Sequence, residues 1–154
     1  MKTKRDYFII KRILDFILSL IAFFILLIPG IILGICIKIE SKGPIFFKQK
    51  RVGKNKKIFM IYKFRTMRAD TPKDMPTHML QNAENYITKL GSFLRRTSLD
   101  ELPQIINILK GDMSIIGPRP ALWNQEDLIA EREKYGANSI RPGLTGLAQI
   151  SRKR

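Results

Sequence analysis

Four short segments of this 154-residue chain carry side chains that could work on an anion. Asp100 and Glu101 are adjacent carboxylates in Thr97-Ser98-Leu99-Asp100-Glu101-Leu102-Pro103-Gln104. Arg119 stands between two prolines in Gly117-Pro118-Arg119-Pro120, where the rings fix the backbone and lower the entropy cost of presenting a guanidinium. Arg141-Pro142-Gly143-Leu144-Thr145-Gly146 repeats the device with a tight glycine turn and a hydroxyl, and such loops can cradle oxyanions through backbone N–H groups. Lys63 and Arg65 alternate with Tyr62 and Phe64, so a strand would present both cations on one face, as a phosphate contact or as a solvated edge. The carboxylates have an ordinary reading as well: Ser98 and Glu101 match a capping box at a helix start, and spacing alone favours it. With 28 Lys and Arg against 13 Asp and Glu, a formal charge of +15 attracts phosphates, acidic lipids or nucleic acid without choosing among them. One histidine, His78, and one cysteine, Cys36, leave too few ligands for a zinc site of the usual kind and allow no intrachain disulfide.

Those groups need elements to hold them. From Phe16 to Ile37 no residue is charged and most are Phe, Ile or Leu, which is long enough for a membrane-penetrating helix and lacks the Ala-x-Ala chemistry of a cleavable signal. Lys2, Lys4, Arg5, Lys11 and Arg12 precede the run, while Lys38, Lys42, Lys48, Lys50, Arg51, Lys54, Lys56 and Lys57 follow it. Positive flanks stay in the cytoplasm, so both ends ask for the same side, and they also suit anionic lipid headgroups. Pro29, followed by Gly30, is expected to break the helical ladder mid-run. A bent, re-entrant helix then satisfies both flanks, with a straight, kinked span as the alternative. Asp15 and Ser19 fall near headgroup depth.

Beyond Gly43-Pro44, residues 45–49 and 58–67 flank a Gly53-Lys54-Asn55-Lys56 turn and read as a β-hairpin. Residues 68–82, with Pro72 and Pro76, lack any period and read as a mobile loop. Leu102, Ile105, Ile106 and Leu109 recur at helical spacing up to Gly111. A helix is therefore expected to begin near residues 98–100, with Pro103 in its first turn and Asp100 and Glu101 at its positive end. Residues 122–135 read as a charged helical stretch in which Trp123 is structural or interfacial.

Taken together, Lys63-Phe64-Arg65-Thr66-Met67, Ser98 to Gln104, Lys110-Gly111-Asp112-Met113-Ser114, Gly117-Pro118-Arg119-Pro120 and Arg141-Pro142-Gly143 to Gln149 resemble, in order, the motifs of the bacterial sugar transferases called monotopic phosphoglycosyl transferases. Five linked motifs outweigh the capping reading of Asp100. The expected fold is α+β: a re-entrant membrane helix over residues 1–40 and a small cytoplasmic catalytic domain of helices and a β-hairpin over residues 41–154, at the bacterial plasma membrane. The resemblance implies that Asp100 attacks the sugar-linked phosphorus of a UDP-sugar, that UMP leaves, and that polyprenyl phosphate takes the sugar phosphate from the aspartyl intermediate, initiating capsule or exopolysaccharide assembly. It makes Glu101 the dyad partner and places Mg²⁺ at Asp100. By motif position it puts Lys63, Arg65, Arg95, Arg119, Arg141, Thr145 and Gln149 near the donor phosphates. An anion attacking an anion needs such cations and preorganised donors.

Two features depart from the family's pattern. Relatives often carry Ser before the helix-breaking proline, where this chain has Ile28, so the freed backbone is less well supported. They also continue for several tens of residues past the Ala-Gln motif, whereas this chain stops at Arg154 and reads as C-terminally truncated. An inactive membrane-anchored remnant, or a subunit completed by another chain, is the second reading. A basic module for acidic lipid or nucleic acid is the third, but no nucleic-acid-binding motif supports it and no such partner is expected.

Overall fold

The computed structural model describes residues 4–71 and 83–146. Helix α1 runs over Lys4–Glu40, and its 37 residues give a length of about 55 Å at the usual rise. Its middle is apolar and exposed, with Phe24, Ile25 and Ile28 among the most open side chains, and it is the one candidate for a membrane-crossing helix among the described residues. Pro29, where a break in the helical ladder is expected, stands inside the helix, which continues to Glu40. A proline forfeits one N–H bond and crowds one carbonyl, yet the apolar turns on both sides keep their own ladder.

Strands β1 (Phe46–Val52) and β2 (Ile58–Phe64) form a two-stranded sheet. So short a connection joins only antiparallel neighbours, so the pair is the expected hairpin. Its turn is a 3₁₀ segment over Lys54–Lys56 in which Asn55 adopts φ 55°. Three helices and two short strands follow: α2 (Lys89–Thr97), α3 (Gln104–Lys110), β3 (Ser114–Ile116), α4 (Glu126–Lys134) and β4 (Gly143–Thr145). Helix α4 lies inside the stretch read as helical, and the mixed helix and strand content is as expected. Most of the stretch read as a mobile loop lies outside the described residues, as do His78 and Gln149.

The chain divides into two compact units. One comprises Met1–Ile25, Lys50–Ile61 and Gln104–Arg154. Its core is Ile61, Ile108 and Met113, with Phe59, Ile115 and Leu144 packed against them. The first half of α1 is tied into this unit by polar bonds. Asp15 accepts from the Ser114 hydroxyl at 2.6 Å and from the Ile115 N–H at 3.2 Å, and Lys11 donates to both Asp15 and Ser114. Arg12 donates to the carbonyls of Ile108 at 2.7 Å and Leu109 at 3.1 Å, the negative end of α3.

The other unit comprises Leu26–Gln49 and Tyr62–Pro103. Ile37, Phe64 and Leu94 are buried at its centre, surrounded by Leu33, Ile45, Leu90, Leu99 and Leu102. The spacing of Leu90 and Leu94 explains α2: one apolar stripe faces this core while Arg96 faces outward. Thr88 caps the helix by accepting the Gly91 N–H at 2.9 Å.

Candidate functional site

The site is assembled in the unit that contains α2 and the end of β2. Helix α2 ends at Thr97, and Ser98 turns the chain with φ 59°. A 3₁₀ turn over Leu99–Glu101 then presents the two carboxylates, and α3 begins only at Gln104. The expected helix start at residues 98–100 is therefore displaced. Pro103 has no N–H to give the Leu99 carbonyl, so the turn and α3 remain separate elements. Ser98 makes no side-chain cap, so the capping box is absent and Glu101 has a different partner.

That partner is Lys63, on the last turnings of β2, whose Nζ lies 2.6 Å from Glu101 Oε1 and 3.8 Å from Asp100 Oδ2. Asp100 is 9% exposed. Burial pushes its carboxyl above the usual range, Lys63 pulls it down, Glu101 pushes it up and Arg95 pulls it down, with burial the largest effect. Arg95, half-buried on the last turn of α2, is held below its ordinary value mainly by burial, with the Asp100 charge acting the other way. Asp100 is thus a poorly hydrated, relatively basic carboxylate with two cations within electrostatic reach. Such a group can act as a nucleophile toward phosphorus once ionised.

Four expected site residues, Lys63, Arg95, Asp100 and Glu101, come together. Arg65 does not join them. The strand ends at Phe64, so the alternation that put Lys63 and Arg65 on one face lapses. Arg65 instead buries its guanidinium at the end of α1, donating to the carbonyls of Ser41 at 2.7 Å and Lys42 at 2.9 Å and to the Ser41 hydroxyl at 2.8 Å. It clasps the chain at the C-terminal end of α1.

The two rigid loops belong to the other compact unit. The N–H groups of Gly117 and Gly143 in these loops are bonded to the Thr145 and Pro118 carbonyls, both at 2.9 Å, beside the parallel pairing of β3 with β4. A Cβ on Gly143 would lie 2.1 Å from the Gly117 nitrogen, so these glycines serve close backbone approach. Thr145 lies in β4 opposite Ile116, and Arg141 donates from Nε to the Gly111 carbonyl at 2.9 Å. Arg119 is exposed on its loop, where its carbonyl accepts from Arg132.

Residues 6–154 match the family model described as bacterial sugar transferase. The chain belongs to that family. It is 42% identical over 163 residues to the galactosyl transferase CpsE of Streptococcus agalactiae, covering 96% of this chain and 35% of that protein. It is 41% identical over 147 residues to the UDP-glucose:undecaprenyl-phosphate glucose-1-phosphate transferase of Escherichia coli, covering 93% of this chain and 31% of the other. The exopolysaccharide production protein PSS of Rhizobium leguminosarum is 40% identical over 149 residues, which is 92% of this chain and 74% of that one. The chain thus spans about a third of the length of the first two relatives named.

For magnesium, the chain offers hard oxygen donors at Asp100 and Glu101. No cluster of three or more His, Cys, Asp or Glu occurs among the described residues. Two adjacent carboxylates fit a cation that keeps several waters and takes its other ligands from phosphate. Sequence reasoning missed Thr66, whose Oγ1 accepts from Arg95 Nε at 2.8 Å, although it stands inside a motif singled out for its cations. A threonine carries no charge and its partner is distant in sequence, so no local pattern marks it.

Proposed function

We propose that this transferase moves a sugar 1-phosphate from a UDP-sugar to a polyprenyl phosphate, as the first step of capsule or exopolysaccharide assembly. The observation that carries the proposal is Asp100, a buried carboxylate made more basic by its surroundings and set beside Lys63 and Arg95. A carboxylate oxygen of Asp100 attacks the sugar-linked phosphorus and the bond to the UMP oxygen breaks, with its electron pair leaving on UMP. An oxygen of the acceptor phosphate then attacks the same phosphorus, forms the diphosphate link and restores the Asp100 carboxylate. Lys63 and Arg95 offset the negative charge gathered around phosphorus, and Lys63 keeps Glu101 in place. Held at Asp100, Mg²⁺ would neutralise phosphate charge. The family match and the E. coli relative's name support the donor and acceptor classes.

A re-entrant α1 at the cytoplasmic face of the plasma membrane belongs to the same proposal. Residues 11–15 bond to 108–115, and Ile37 and Ser41 pack on or bond to Phe64, Leu94 and Arg65. Both ends of the helix are therefore tied to polar parts of the chain that have no second membrane helix among the described residues. A bend at Pro29 reconciles those ties with an apolar middle in lipid, and the acceptor's phosphate lies at the same headgroup plane.

Donor-only incubation of the membrane-bound protein with labelled UDP-sugar and Mg²⁺ tests the chemistry. The expected result is a burst of UMP, label retained on the protein, and loss of both in Asp100→Asn. A burst of equal size in that variant refutes the nucleophile.

A further inference from the structure

We infer that Thr66 is a positioning residue for the transfer reaction, holding the Arg95 guanidinium toward Asp100 through its hydroxyl. The inference rests on the proposed function and adds a residue whose role no motif specifies. Thr66 is 7% exposed, and its Oγ1 accepts from Arg95 Nε at 2.8 Å. That bond engages the guanidinium nitrogen nearest the stem and leaves the terminal fork outside it. The Arg95 carbonyl accepts the Ser98 N–H at 3.3 Å, which seats Arg95 at the turn that carries Asp100, and the two charges influence each other.

The hydroxyl is itself fixed in space. The Thr66 carbonyl accepts the Thr88 N–H at 3.1 Å, and Gly91 of α2 packs directly on the Thr66 backbone. Arg95 stands one helical turn beyond Gly91, on the same side of α2. Three contacts thus set one geometry: two lock the backbone of Thr66 against α2, and the third locks the Arg95 side chain that α2 carries. A flexible arginine next to a developing charge loses rotamer freedom at every turnover. One already clasped at Nε does not, and preorganisation of that kind acts on the transition state.

The test is a set of variants of the full chain in membranes, assayed for the UMP burst with UDP-sugar and Mg²⁺ and normalised to membrane-inserted protein. Thr66→Val removes the hydroxyl at nearly constant shape, and Thr66→Ser keeps it. A hydrogen bond to a charged group predicts a burst rate lowered about tenfold to a hundredfold in Thr66→Val. Thr66→Ser should stay within about threefold of wild type, since it keeps that bond. In an Arg95→Ala background the same Thr66→Val change should cost nothing, because the two residues act as one. Should the valine variant fail to accumulate, Thr66→Ala in both backgrounds gives the same comparison. An undiminished burst in the hydroxyl-less variants overturns the inference, and so does an equal loss with and without Arg95. If the wild-type chain itself releases no UMP, it is the transfer reading that falls.

Discussion

At Asp100 the proposed chemistry depends on a protonation equilibrium set by burial and three neighbours, Lys63, Glu101 and Arg95. Because burial and Glu101 together outweigh the two cations, the carboxyl is raised from its ordinary value, and the acid limb of the burst rate should lie higher than that of an unperturbed carboxylate. Removing Glu101's charge with Glu101→Gln removes a force that raises Asp100, so the limb should move to lower pH. Lys63→Met removes the strongest force lowering it, so the limb should move to higher pH. Burst rates measured across pH check both signs, and a limb that stays put in both variants disproves the electrostatic assignment. The same raised carboxyl affects stability. A group bound more tightly to its proton in the fold contributes stability that is present below its unfolded pKa and lost as pH rises through its folded one. At neutral pH the ionised Asp100 is therefore a burden, and Asp100→Asn should unfold at a higher temperature than wild type while being inactive. A lower midpoint for that variant in a thermal melt would contradict the raised value.

Elements were legible in the sequence where local pattern decided them, and obscure where tertiary contacts did. The apolar run of α1, the hairpin and α4 follow from hydropathy, turn residues and charge alone. The β3–β4 pair could not be read, because each strand has three residues and its partner lies far along the chain. Arg65 shows the same limit on a smaller scale: period two holds only while the strand lasts, and it ends one residue earlier at Phe64. Of the site, the carboxylate pair and its cations came from motif order. Geometry alone supplied the Lys63–Glu101 bond and the Thr66 clasp. The tightest element contact gives a prediction. A Cβ on Gly91 would sit 2.0 Å from the Thr66 carbonyl oxygen and 2.8 Å from its Cα, all backbone and unable to yield. Gly91→Ala must push α2 off the strand end, with a cost of about 1–3 kcal/mol typical of overpacking, and it should carry Arg95 away from Asp100. A thermal melt and the burst assay should both record the loss. Wild-type values in each would show that α2 is not seated as described.

For the whole molecule, the question is how an apolar helix of about 55 Å sits in a hydrocarbon layer of roughly 30 Å while both of its ends are occupied elsewhere. Near its start, Lys11, Arg12 and Asp15 bond to residues of α3 and β3. Near its finish, Ile37 is buried with Phe64 and Leu94, and Arg65 clasps the last carbonyls. A straight span would place one set of these polar contacts across the bilayer from a chain of formal charge +15, whose described remainder offers no other segment able to follow. Dragging so many cations through hydrocarbon is far costlier than bending one helix at a proline. Both ends should therefore share the cytoplasmic side. With Cys36→Ser removing the native thiol, single cysteines at Lys4 and Lys42 should resist a membrane-impermeant maleimide in intact cells. Both should react once the inner membrane is opened. Pro29→Leu, which restores the missing N–H and favours a straight helix, should expose the Lys4→Cys site to external label in part of the population. The competing Asp15 bonds limit that fraction, so adding Asp15→Leu should enlarge it. External labelling of one end in the otherwise unaltered chain would rule out the bend, and with it the idea that the site meets its lipid acceptor from a domain held at one face.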